Sequence, residues 1–93
     1  MVLQENAYRF QFTIREVRDE TDQNLEQKIV LVDTVITFKD GRCLYDGHLR
    51  VKCNAFGIYP FPADIAKAAS NPSLRQTISF QLKRFIRPAK PFL

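Results

Sequence analysis

"KIVLVDTVITFKDGRCLYDGHLRVKC", residues 28–53, decides how this chain folds. Its first part, 28–38, is β-branched and apolar at nearly every position. Such a run suits a strand buried on much of both faces. Asp40-Gly41 then separates it from a second strand-like run. Asp-Gly in that place marks a hairpin, since a type I′ turn needs positive φ at both central residues. A two-residue turn there makes paired residue numbers add to a constant. Phe38 then faces Cys43, Ile36 faces Tyr45, Val32 faces Leu49 and Val30 faces Val51, nearly all apolar and all on one face. The opposite face pairs Thr37 with Leu44, Val35 with Asp46, Asp33 with His48 and Leu31 with Arg50. A slip by one residue would scramble both faces, so the pattern itself supports the register.

Outward from this hairpin, "AYRFQFTI" (7–14) alternates Tyr8, Phe10, Phe12 and Ile14 against Arg9, Gln11 and Thr13, the period of a half-buried strand. "REVRDETDQNLEQ" (15–27) is acidic and polar and reads as fraying strand and solvated loop, without the spacing of a calcium loop. "NAFGIYPFP" (54–62) reads as a turn-rich connector. A short helix is predicted from Pro62, where proline costs no hydrogen bond. Asn71 and Pro72 form an N-cap and first-turn pair for a second helix, with Leu74, Ile78, Leu82 and Phe85 on one stripe. "TISFQLK" (77–83) also alternates like a strand, but the caps and the stripe favour helix. Pro88 ends it and leaves a proline-containing tail, 88–93. The expected fold is α+β: a three-stranded antiparallel β-β-β meander followed by two C-terminal helices, with a fourth strand as the alternative for the last element.

The chain has 93 residues, enough for one domain, 1–93, with one modest core. Hydrophobic residues at 45% and charged residues at 26% place it among globular chains and away from disordered ones. No apolar run approaches the roughly 20 residues of a membrane helix. The first ten residues lack the basic and apolar regions of a secretory leader, and the two cysteines are expected to be reduced thiols in a cytoplasmic protein.

Both cysteines, the only histidine and two Asp-Gly steps fall within 38–53. Cys43 and Cys53 share parity on one strand and lie roughly 33 Å apart if it is unbroken. A disulfide needs Cα atoms within about 7 Å. His48 has the opposite parity, so these three cannot form a zinc site. Both cysteines are read as small buried apolar residues. Asp33, Asp46 and His48 share the polar face, where carboxylates and an imidazole bind metals or do base chemistry. Without a nucleophile beside them, an exposed cross-strand pair is the commoner arrangement. Neither a catalytic residue nor a cofactor is assigned.

Charge is uneven. Residues 1–47 carry six Lys/Arg against nine Asp/Glu, whereas 48–93 carry eight against one. "LKRFIRPAKPF" (82–92) holds the densest positive patch: Lys83, Arg84, Arg87 and Lys90, with Phe85 or Phe92 available to stack on bases. The modules that read nucleic acid by sequence leave no motif here. The expected role is non-enzymatic, a small interaction module that associates with a protein partner or forms a homo-oligomer, because strand two is apolar on both faces. Binding of nucleic acid or another polyanion through Lys83, Arg84, Arg87 and Lys90 is the alternative.

Overall fold

A computed structural model describes residues 7–93; the N-terminal residues 1–6, read above for a leader, lie outside that range. Strand β1 (Tyr8–Asp22), β2 (Leu25–Phe38), β3 (Cys43–Asn54) and β4 (Gly57–Pro60) form one antiparallel sheet in the order β1-β2-β3-β4. Helices α1 (Pro62–Ala68) and α2 (Pro72–Ala89) follow, and a 3-10 turn covers Lys90–Phe92. The α+β class, with an antiparallel sheet preceding two helices, is the one the sequence predicts, and residues 72–89 are helix rather than strand.

The β2–β3 register is the predicted one over most of its length: Val32 lies opposite Leu49, Val30 opposite Val51, Asp33 opposite His48 and Ile36 opposite Tyr45. The turn differs. Phe38 N–H donates to Arg42 O at 2.8 Å and Gly41 N–H to Phe38 O at 2.9 Å, so Lys39, Asp40 and Gly41 form a three-residue loop. Only Gly41 has positive φ, +98°, and a type I′ turn needs two such residues. The Asp40 carboxylate accepts Arg42 N–H at 3.0 Å and holds the loop in this form. The longer loop pairs Thr37 with Cys43, and the register recovers at Ile36–Tyr45 because Leu44 bulges out of the ladder. The bulge reverses the parity of the first residue of β3. Cys43 is therefore exposed, contrary to the buried position predicted for it, and Leu44 packs against the core; Cys53 is buried as expected.

Residues 15–27 are not a loop. β1 runs on to Asp22 and turns through Gln23 (φ 51°) and Asn24 (φ 67°), a two-residue turn of the type I′ kind. Cross-strand polar pairs line this arm: Lys28 with Asp19, and Gln27 with Glu20. Arg15 is a second bulge, between the pairs Ile14–Val32 and Glu16–Leu31. The connector 54–62 also contains a strand. Asn54 Oδ1 accepts from the N–H groups of Phe56 and Gly57, closing a tight turn that lays β4 against Val51–Asn54. Pro88 does not stop α2: it lies in the last turn, where a missing N–H forfeits one bond, and the predicted tail instead finishes the helix and its 3-10 turn.

One sheet face carries the core. Val30, Val32, Ile36, Leu49 and Val51 are fully buried against Leu74, Ile78, Leu82 and Ile86 of α2 and Ile65, Ala68 and Ala69 at α1. Phe85 packs on Phe12, ring centroids 5.3 Å apart, which draws α2 over β1. Beyond β4, the free edge of β3 is closed by α1. Phe61 N–H donates to Arg50 O, and the buried Asp64 carboxylate accepts Arg50 N, Nε and Nη2 at 2.8–2.9 Å.

Candidate functional site: the outer face of helix α2

Asn71 caps α2 by accepting from Ser73 N–H at 2.8 Å, and Pro72 presets the first turn. Arg75 Nε donates to Ala69 O at 2.7 Å, tying the start of α2 to the end of α1. With Leu74, Ile78, Leu82 and Ile86 fixed inward at spacings of four, the helix has no freedom to rotate. The opposite arc, from the 3.6-residue period, contains Ser73, Gln76, Thr77, Phe80, Lys83, Arg84 and Arg87. Phe80 is 56% exposed at the centre of that arc. Lys83, Arg84 and Arg87 follow it at three, four and seven residues, the spacings that share a helix face. No Asp or Glu occurs in 65–93, and none of the three cations is ion-paired with a described residue. The arrangement can insert one aromatic ring into an apolar recess and meet anionic groups around it.

Lys90 is not part of this face. It lies in the 3-10 turn and lines a cavity with Asp19, Glu26 and Cys53. Phe85, one of the two aromatics expected to stack on bases, is engaged with Phe12. Phe80 lies outside the positive patch that the sequence marks at Lys83, Arg84, Arg87 and Lys90. Its signal is present: it lies two residues from both Ile78 and Leu82, about 200° around the helix from each, so a helical reading of 72–89 puts it in water.

The outer face of the sheet is less open than its sequence implies. Ile29, Leu31 and Val35 are half-buried. Arginines engaged in ion pairs border them: Arg18 with Glu16 at 2.5 Å, Arg15 with Asp33 at 3.2 Å and Arg50 with Asp64. None of these aliphatics is among the large hydrophobics left most exposed, which include Phe56, Phe80 and Phe92.

Asp33 and His48 do meet on that face, Nδ1 to Oδ1 at 2.7 Å. Arg15 holds both Asp33 oxygens at 3.2 and 3.3 Å. Desolvation works against ionisation of Asp33, but the hydrogen bonds from Arg15 and His48 outweigh it and hold the carboxyl below its ordinary range. Among the described residues no hydroxyl or thiol bonds to the His48 imidazole, and no group of three or more His, Cys, Asp and Glu is placed to hold a metal ion. Asp46 does not join the pair.

No family model matches the chain, and neither a curated protein nor a solved structure matches it significantly. No described helix is long and apolar enough to cross a membrane.

Proposed function

We propose that the chain is a small non-enzymatic interaction module that binds a protein partner through the outer face of α2. The observation that carries this reading is Phe80, a half-exposed ring on the rim of three unpaired cations. Burying a phenylalanine in an interface is worth about 1.5–3 kcal/mol. An aromatic anchor of this kind, ringed by contacts that contribute less energy, is the usual energetic centre of a protein contact. A helix can lie in a groove of a folded partner, and this one offers a single apolar anchor with cations at i+3, i+4 and i+7. The partner's groove is apolar, with carboxylates at its edge.

A second reading rests on the absence of Asp and Glu from 65–93, a segment with six Lys/Arg. Lys83, Arg84 and Arg87 then contact phosphates while Phe80 stacks on a base, and the partner is a nucleic acid. The convex surface of a lone helix offers no channel for a strand, so the protein partner is preferred.

A photo-crosslinking phenylalanine analogue at position 80, with the same analogue at the exposed Lys39 as control, tests the choice in cells. A discrete protease-sensitive adduct at 80, absent at 39 and lost when Arg84 and Arg87 are glutamine, is the expected result. A nuclease-sensitive adduct at 80 would favour the second reading. Equal adducts at both positions, or none, would remove α2 as the interface.

A further inference from the structure

The carboxylate-edged recess that α2 requires exists on this molecule. Beneath the arm of β1 and β2 lies a cavity of about 260 Å³. A cavity of about 150 Å³ is enough to hold benzene, so this open recess has the volume for a phenylalanine ring. Cys53, Ala55 and Leu93 give it an apolar patch, and its other lining residues are polar or charged. Glu20 and Glu26 stand at its wall beside Asp19, whose charge is met by Lys28. With Lys90 also on the wall, the free charge there is negative by one. The arm around it is more so: residues 16–26 carry five carboxylates against one arginine. Two more exposed rings adjoin the cavity in sequence: Phe56, 77% exposed, follows Ala55, and Phe92, 87% exposed, precedes Leu93.

We infer that the partner of α2 is a second copy of this chain, with Phe80 of each copy seated in the cavity of the other. The inference rests on the reading of α2 as a protein interface and goes beyond it by naming the occupant. Three observations converge on it. The charges match, since Lys83, Arg84 and Arg87 of one copy meet the acidic arm of the other. The ring matches the cavity in size. The contact also covers Phe80, and the exposed Phe56 and Phe92 each follow or precede a residue of the cavity wall. Geometry allows reciprocity: Phe80 and the cavity-lining Lys90 are ten residues apart on one helical rod, about 15 Å. A two-fold axis between two copies then places each anchor on the other's cavity and closes the assembly as a dimer, the commonest symmetric form.

Sedimentation of the purified protein at micromolar to sub-millimolar concentration, in low and in high salt, provides the test. The wild type is expected to dimerise, and raising salt to about 0.5 M, where screening is short-ranged, weakens association at least tenfold. Two charge-reversed variants are then made, Arg84→Glu/Arg87→Glu and Glu20→Lys/Glu26→Lys. Each alone is expected to be monomeric. Mixed one to one, they restore one reversed and one native contact and form a heterodimer, which also shows that both fold. Phe80→Ser abolishes the dimer at either salt. A wild type that stays monomeric, a mixture that does not associate, or open polymers in place of a dimer would overturn the inference. A monomeric wild type with a crosslinked foreign protein at position 80 would leave the interface reading standing; no adduct at 80 would end that reading as well.

Discussion

Asp64 shows how much can depend on one carboxylate. Three hydrogen bonds from Arg50 hold its pKa below the ordinary range, outweighing the opposing effect of burial. A group of this kind contributes stability that is complete above its unfolded pKa, about 3.9, and is lost as pH falls through the lower folded value. Stability to urea should therefore decline below about pH 4. Asp64→Ala should cost about 2–3 kcal/mol at pH 7, because it leaves the Arg50 backbone N–H without a partner on a closed edge, and the variant should show less of the acid-dependent loss. His48→Ala is the contrast. Its side chain is 51% exposed, and an exposed pair of this type is worth little; the change should stay within about 0.5 kcal/mol in the same titration. The thiols differ too. Burial pushes the Cys53 thiol above its ordinary range despite the opposing charge of Lys90, and Cys43 lies exposed at the head of β3. A disulfide-exchange reagent should consume one thiol quickly in the native protein and the second only on unfolding; two fast thiols would contradict the buried placement of Cys53.

At the scale of elements, β2–β3 pairing and α2 were legible because buried faces enforce them. Val30, Val32 and Ile36 admit one register only, and Asn71-Pro72 admits one helix start. Three features were not legible, each for a local reason. Asp-Gly permits both a two-residue and a three-residue loop, and the Asp40–Arg42 hydrogen bond that selects the longer one is a detail of conformation. Gln23-Asn24 is a weaker turn signal than Asp-Gly, and the arm it closes is polar on both sides, so hydrophobic period says nothing about it. β4 is four residues long and stands only because Asn54 builds its turn. The candidate interface was half legible. Lys83, Arg84 and Arg87 were visible as charge, whereas Phe80 becomes informative only once its surroundings are helical. Two substitutions probe these elements by urea denaturation. Gly41→Ala forces a side chain onto a φ of +98° and should cost about 1–2 kcal/mol, with the denaturant slope unchanged. Asn71→Ala removes the cap of α2 and should cost about 1 kcal/mol.

As a whole, the molecule is longer than its residue count implies. Its principal extents are 45 × 25 × 23 Å, and its radius of gyration of 13.7 Å exceeds the roughly 12 Å of a compact chain this size. The excess is the β1–β2 arm, which extends beyond the last core residue, Val30, and rests on backbone bonds and polar pairs. Amides of 20–26, beyond the last β2–β3 pair, Gln27 with Asn54, should accordingly exchange with solvent orders of magnitude faster than those of 30–36, which open only with the core. Uniform protection along β2 would show that the arm is clamped, as a reciprocal dimer would clamp it, so the comparison belongs at high dilution. The two bulges have a consequence for heredity. Arg15 and Leu44 each have no counterpart on β2. Loss of either codon from the gene would shorten the protein and leave every other strand pair in place, while loss of Thr34 would turn the rest of β2 inside out. In a library of single-codon deletions scored by a folding reporter, clones lacking residue 15 or 44 should survive among strand positions where neighbours such as 34 and 49 do not.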